Sequence, residues 1–319
     1  MVGLFTPGHG KVGDPLDAPM DVVTGAFSYT GQSIARRLLG AGRRVRTITG
    51  HPDRTGVVPG VEAFPFDFEH PDLVTDHLRG ADTLYSTYWV RFARGDVDHM
   101  RAVAHLQTLF AAARSAGVRR VVHVSITGAD AANPLPYFRG KGLVEQFLAT
   151  SGLSFGIVRP ALIFGDQDVL LHNIAWILRR FPVFTVFGDG CYRIQPVHVD
   201  DLAEIAIRLG GDLQNATVDA VGPETYSFTE LVQRISRAIG RHPRILHVAP
   251  GTGLLLGRLL SLLVGDVLIT KDEIAGLMAD LLVSAQPPTA PTKLGEWLDS
   301  HAATLGARYA SEVARHFDR

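Results

Sequence analysis

Asp21-Val22-Val23-Thr24-Gly25-Ala26-Phe27-Ser28-Tyr29-Thr30-Gly31 reads as a strand, a turn and the start of a helix. Asp21 to Thr24 is a short apolar run broken by glycine, as a buried strand is. Helical spacing follows from Gln32 to Leu39, with Ile34, Leu38 and Leu39 on one face and Gly40 and Gly42 as the stop. A glycine turn between a first strand and a first helix is the context in which backbone amides can cradle a diphosphate. Gly25 permits the tight bend, position 28 is where the backbone approaches the pyrophosphate, and Gly31 lets helix and strand pack closely. The helix start adds amides and the positive end of its dipole. Gly25, Phe27, Ser28, Tyr29, Thr30 and Gly31 are therefore candidate dinucleotide-binding residues, and a plain tight turn is the alternative. Ser28 stands where glycine is usual, so its hydroxyl either donates to a phosphate or crowds it.

Further along, strands are expected at Arg44–Thr49, Val61–Phe66, Thr83–Thr87, Val121–Ser125 and Phe155–Val158. Helices are expected from about Asp98 to Ala116, with Val103, Leu106, Leu109 and Phe110 on one face, and from Tyr137 through Phe147. This alternation implies an α/β fold, a Rossmann-type doubly wound parallel sheet that binds ligands at the carboxyl ends of its strands. After Gly165 the pattern loosens: helices at 170–180 and 229–239, and an apolar strand from Ile194 to Val199 that runs into Asp200 as the cap of a helix over 201–209. The expected organisation is a loose extension at 1–20 and a dinucleotide-binding domain at 21–165, to which 196–221 returns. A smaller, mostly helical substrate lobe is expected from 166–195 and 222–319.

A formal charge of −1 over 319 residues speaks against nucleic acid as a partner. The single cysteine, Cys191, can form no internal disulfide and reads as a small packing residue in a reducing, cytoplasmic setting. The first residues lack the pattern of a signal peptide. The most apolar stretch, Leu254 to Ile269, is too short and too interrupted by Arg258, Gly265 and Asp266 to span a bilayer. It reads as a buried helix, with a pocket-lining or surface-docking helix as the other readings. His123 and His198 read as satisfied core histidines, and Asp200-Asp201 as a helix start, so no metal site is expected.

A protein that prefers NAD usually carries a carboxylate at the end of its second strand. Here Thr49-Gly50-His51-Pro52-Asp53-Arg54 has none at the strand end, and His51 and Arg54 suit a 2′-phosphate, which favours NADP with NAD as the alternative. Ordinary solvated loop residues are the other reading of both. Asp67, followed by Phe68, is placed either to accept from the adenine amino group or to cap the next helix.

The glycine turn at 24–31, Val124-Ser125, Tyr137-Phe138-Arg139-Gly140-Lys141, Arg159-Pro160 with Phe164-Gly165, and Val197-His198-Val199-Asp200-Asp201 occur in one order. In that order they resemble the extended and atypical short-chain dehydrogenase/reductase superfamily, which includes epimerase/dehydratases, nucleotide-binding sensors and the complex I nucleotide-binding accessory subunit. The resemblance implies that Lys141 holds the nicotinamide ribose and lowers the pKa of Tyr137, one helical turn away, which then exchanges a proton with the substrate. First-turn packing is the other reading of Tyr137. Ser125, with Thr127 second, is implied to hold the substrate oxygen, although alignment on the strand places Ile126 near the usual hydroxyl position. Thr87 and Tyr88, and Pro160 to Leu162, are implied to lie near the cofactor. Trp89 and Phe92 either wall the substrate pocket or belong to the core. Arg193 is similar to a diphosphate-gripping arginine but stands one residue out of register. The implied activity is NAD(P)-dependent oxidation or reduction of a small, relatively apolar carbonyl, alcohol or unsaturated substrate. An epimerase/dehydratase, or a non-catalytic NAD(P)H-binding sensor or assembly protein, is the alternative. A homodimer through the helices near 98–116 and 137–150 is also implied.

Overall fold

The computed structural model describes residues 18–92, 98–249, 251–252 and 270–311. Its first half alternates strand and helix. The elements are β1 (Met20–Thr24), α1 (Tyr29–Gly40), β2 (Arg44–Thr49), β3 (Val61–Pro65), α2 (Pro71–Leu78), β4 (Ala81–Ser86), α3 (His99–Ser115), β5 (Arg120–Val124), α4 (Pro136–Thr150) and β6 (Ser154–Pro160). There follow β7 (Leu162–Phe164), α5 (Leu170–Arg180), β8 (Val183–Phe187), β9 (Arg193–Ile194), β10 (Pro196–His198), α6 (Val199–Gly211), β11 (Ala216–Ala220), β12 (Tyr226–Ser227), α7 (Phe228–Ala238) and β13 (Arg244–Val248). Two more helices, Lys271–Met278 and Leu294–Ser300, complete the described chain.

Seven strands form one sheet in the order β11-β6-β5-β4-β1-β2-β3, every neighbouring pair parallel. The chain runs outward from β1 to β3, then crosses back to lay β4 on the other side of β1. That reversal opens a crevice at the carboxyl ends of β1 and β4, where such sheets bind ligands. Successive strand residues face opposite ways. Val22, Leu84 and Val121 pack with Leu78 of α2, Leu109 and Phe110 of α3 and Leu148 of α4. Val23, Tyr85 and Val122 pack with Ile34 and Leu38 of α1 and Leu202 and Ile205 of α6. Each fully buried aliphatic side chain contributes up to about 1.5–3 kcal/mol. A third cluster joins α5, α7 and the helix Leu294–Ser300 through Leu171, Ile174, Phe228, Leu231 and Trp297.

Several local expectations are corrected. Helix α1 begins at Tyr29, three residues earlier than its apolar spacing suggested, because the turn leads straight into it. The expected strand at 194–199 is two strands with different partners. β9 pairs antiparallel with β12 and β10 parallel with β7, with Gln195 between them. Asp200 does not cap α6: the helix starts at Val199, and His198 Nδ1 accepts from the Asp200 amide (3.3 Å). The Asp200 carboxylate accepts instead from Ser33 (2.7 Å) and Arg37 (2.8 Å), tying α6 to α1. Cys191 is exposed rather than packed, because it follows the sharp bend Gly188–Gly190. The apolar stretch Leu254 to Ile269, and residues 1–17 of the expected extension, lie outside the described residues. Among the described residues, no helix is long and apolar enough to cross a membrane.

Candidate dinucleotide site and adjoining pocket

The turn after β1 is held by threonines of β1, β2 and the segment that follows β4. Thr47 of β2 donates its hydroxyl to the Val23 carbonyl (2.7 Å) and accepts from the Ala26 amide (3.0 Å). Thr24 Oγ1 accepts from the amides of Thr87 (2.8 Å) and Tyr88 (3.0 Å), and the Thr87 hydroxyl donates to the Thr24 carbonyl (2.5 Å). Gly25 takes φ of +63°, a region a side chain disfavours. A Cβ on Gly31 would stand 2.2 Å from the Gly25 carbonyl oxygen, so the helix touches the turn backbone there. No side chain caps the first turn of α1 and no acidic residue stands in it. This uncapped, glycine-lined helix start fits a dinucleotide diphosphate. Ser28 does not keep its proton for a phosphate in this structure: its hydroxyl donates to the Gly25 carbonyl (2.6 Å).

Beyond the turn, Phe68 and Tyr88 share an aromatic group with Phe66 and His105. Phe68 stacks on His105 at 4.1 Å, and the Tyr88 hydroxyl lies 2.8 Å from His105 Nδ1. Burial pushes the Tyr88 phenol up to about 12 and lowers His105, with Arg101 adding to the second shift. Asp67 is engaged by His70. It accepts from the His70 amide (3.1 Å) and lies 2.9 Å from its Nδ1, which lowers its carboxyl pKa. Asp67 does not cap α2: His70 is the N-cap residue, and no side chain caps that helix. His51 and Arg54 stand in the loop after β2, where the His51 amide donates to Thr49 Oγ1 (3.3 Å) and the Arg54 amide to the His51 carbonyl (3.2 Å).

At the ends of β5 and α4, Lys141 is buried and donates Nζ–H to the Val124 carbonyl (2.9 Å). Its ammonium also lies 4.5 Å from the Trp89 ring centroid. Burial lowers its pKa to about 7, with Glu145 pulling the other way. Ser125, next to Val124, is buried, and its Oγ has no hydrogen-bond partner. The Thr127 hydroxyl is spent on the Leu281 carbonyl (2.8 Å), which leaves Ser125 as the open hydroxyl. Tyr137 is half-buried and meets Trp89, His99 and Phe138 edge-on at 5.5 to 5.8 Å. Desolvation raises its pKa, Glu273 raises it further, and Arg91 opposes both. This departs from the implied lowering by Lys141, whose ammonium turns to Val124 and Trp89 instead. Glu273 and Arg91 are paired at 2.5 Å.

The remaining candidates are more scattered. Pro160 ends β6, its carbonyl accepting from the Thr127 amide (2.9 Å), and Leu162 opens β7. Phe92 is half-exposed. Arg193 is on the surface, bound to Asp280 through its amide (2.6 Å) and its Nε (3.1 Å). His198 packs on Phe164 (5.2 Å). His123 is buried but only half satisfied, with Nδ1 at 3.3 Å from Ser86 Oγ and Nε2 without a partner. Among the described residues, no cluster of histidine, cysteine and carboxylates could hold a metal.

One strand end joins these parts. Thr87 reaches the glycine turn, Tyr88 the aromatic group beside Phe68, and Trp89 the Lys141–Tyr137 helix face. His99 and His105 of α3, Phe66, Arg91 and Glu273 escaped the sequence reading. The helical spacing of His99, Tyr137 and their partners is ordinary, so only contact across elements brings them together. A recess of about 330 Å³ around Met20, Arg43 and Glu62 opens at the amino ends of β1 and β2, away from all of these groups.

The fold and this site define a dinucleotide-binding protein, and a family profile described as NAD(P)H-binding matches residues 25–169. That profile covers just under half of the chain, and with the relatives below it supports a likeness to the atypical short-chain dehydrogenase/reductase superfamily. It is 22% identical over 282 residues to the mitochondrial NADH dehydrogenase [ubiquinone] 1 alpha subcomplex subunit 9 of Arabidopsis thaliana, covering 82% of this chain and 70% of that protein. It is 27% identical over 252 residues to 4-hydroxy-2-methyl-3-oxo-4-farnesyl-3,4-dihydroquinoline-1-oxide ketoreductase of Stigmatella aurantiaca, covering 69% of this chain and 75% of that one. Its fold resembles an NADPH-dependent quinone oxidoreductase of Escherichia coli solved with NADPH, with a TM-score of 0.73, 19% identity, and coverage of 89% and 100%.

Proposed function

We propose that the protein is an NAD(P)-dependent oxidoreductase, with NADP as its carrier, that reduces a small, largely apolar carbonyl or unsaturated compound. The observation that carries this reading is the buried Ser125 hydroxyl without a partner, beside the carbonyl that fixes Lys141. Such a hydroxyl costs about 1–3 kcal/mol, which a substrate oxygen would remove. A bound nicotinamide supplies the hydride. Ser125 holds the substrate oxygen, and Tyr137 gives it a proton. Burial keeps Tyr137 in its phenol form, the form a reduction needs, and leaves little of the phenolate that alcohol oxidation or epimerisation needs. Lys141, held against Val124, is assigned to the nicotinamide ribose. His51 and Arg54, with no carboxylate at the end of β2, support NADP over NAD. Residues 21–165 with 196–221 are assigned to the cofactor and 166–195 with 222–319 to the substrate.

The test follows NADPH consumption with a panel of ketones and conjugated carbonyls, beside NADPH and NADH binding. Ser125→Ala is expected to lower kcat/KM by about 100-fold while NADPH still binds. Unchanged kcat/KM in that variant would remove the reading. A second reading, a non-catalytic NAD(P)H-binding protein, is favoured by one observation: Tyr137 packs on Trp89, His99 and Phe138, and its phenol is raised by burial and then by Glu273, with no lowering by Lys141. It predicts tight NADPH binding with no acceptor that consumes it. A nucleotide-sugar epimerase is disfavoured because Asp280 holds the Arg193 guanidinium.

A further inference from the structure

Ser125 is not alone in lacking a partner. Nε1 of Trp89 and Nδ1 of His99 are also closed from solvent without a hydrogen bond. The two rings are parallel, 2° apart with centroids at 6.0 Å, and Tyr137 meets both edge-on. Trp89 packs against α4, where a Cβ on Gly140 would stand 2.9 Å from the indole. Its ring centroid also lies 4.5 Å from the Lys141 ammonium, whose hydrogen bond goes to the residue before Ser125. The three unpartnered groups therefore belong to one neighbourhood, at the ends of β4, β5 and α3.

The chemistry of this wall is narrow. An indole N–H only donates, and a neutral imidazole can donate or accept. Burial holds His99 below the ordinary histidine range. Asp98 on its own helix and Asp272 and Glu273 on the helix Lys271–Met278 oppose that shift, and Lys141 of α4 adds to it. The ring is therefore uncharged at neutral pH. Arg91, two residues on from Trp89, is bound to Glu273. The wall thus offers flat apolar faces with uncharged polar edges, which suits a planar ring bearing oxygen and not a phosphate.

We infer that Trp89 and His99 select planar conjugated carbonyl compounds, quinones being the simplest, with the indole N–H donating to a ring oxygen and the imidazole adding a second contact. The inference deepens the reductase reading and rests on it for the reacting carbonyl at Ser125. Tyr137, half-buried, touches both rings.

The test is a calorimetric titration of the full chain, without reduced cofactor, using 1,4-naphthoquinone and naphthalene as the same ring without oxygen. Trp89→Phe and His99→Phe keep the ring stack and remove the nitrogens. Each is expected to raise the naphthoquinone Kd about tenfold, the worth of one buried hydrogen bond. The naphthalene Kd stays unchanged. Should Trp89→Phe not fold, His99→Phe alone decides. Equal weakening of both ligands, an unchanged naphthoquinone Kd, or no binding by the wild type would overturn the inference. Binding as expected with no NADPH consumed by any acceptor would sink the reductase reading and leave this one standing.

Discussion

The end of β1 and the end of β5 differ in how their polar groups are answered. At β1, Thr24, Thr47 and Thr87 bind the turn backbone from β1, β2 and the segment that follows β4, and the glycines bring helix and turn into contact. At β5, Ser125 Oγ and, nearby, Trp89 Nε1 and His99 Nδ1 are buried without partners. The first end is finished before any ligand arrives, so its cofactor meets a preformed surface. The second is left short of hydrogen bonds, a cost borne where chemistry or recognition is to occur.

If the β1 end is preformed, disturbing it should cost most. Gly31→Ala places a methyl 2.2 Å from a backbone oxygen that cannot swing aside. We expect a loss of about 3 kcal/mol in a urea titration and of NADPH binding by more than about 100-fold. A variant that binds NADPH normally would break the comparison. Thr24→Val should cost about 1–3 kcal/mol, because the amides of Thr87 and Tyr88 lose their shared acceptor. Retained stability would mean that the threonine stitching is incidental.

Lys141→Met sharpens the other side. A lysine lowered from 10.5 to about 7 in the fold leaves the unfolded chain holding more protons between those values, so stability rises with pH across that window. Removing the buried charge should flatten this slope and raise the melting midpoint near neutral pH by about 2–4 °C. The charged form is full below its folded pKa. NADPH affinity that depends on the ammonium should therefore fall as pH rises through about 7 in the wild type, and not in the variant. A melting midpoint that drops instead would show that the Val124 and Trp89 contacts outweigh the buried charge.

The sheet was legible in the sequence wherever a strand is covered on both faces. β1 and β5 are buried at every position, and their centres, Val22-Val23 and Val121-Val122, are apolar. β11 was not read as a strand: it lies at the sheet edge, is only partly covered, and carries Asp219 among small residues. The glycine turn was legible because its constraint is local. The state of Tyr137 was not, because it depends on Glu273 and Arg91, far apart in sequence and brought together by the fold. His99 and His105 were hidden in a helix whose apolar face drew the attention, and their ring partners come from β4 and the loop after β3.

Thr87, Tyr88 and Trp89 leave β4 in three directions, to the turn, the aromatic group and α4. Anyone recombining this chain with a distant relative must therefore keep the crossover point outside this tripeptide. One residue gained or lost there would rotate each side chain into its neighbour's place and desynchronise all three assignments in a single edit.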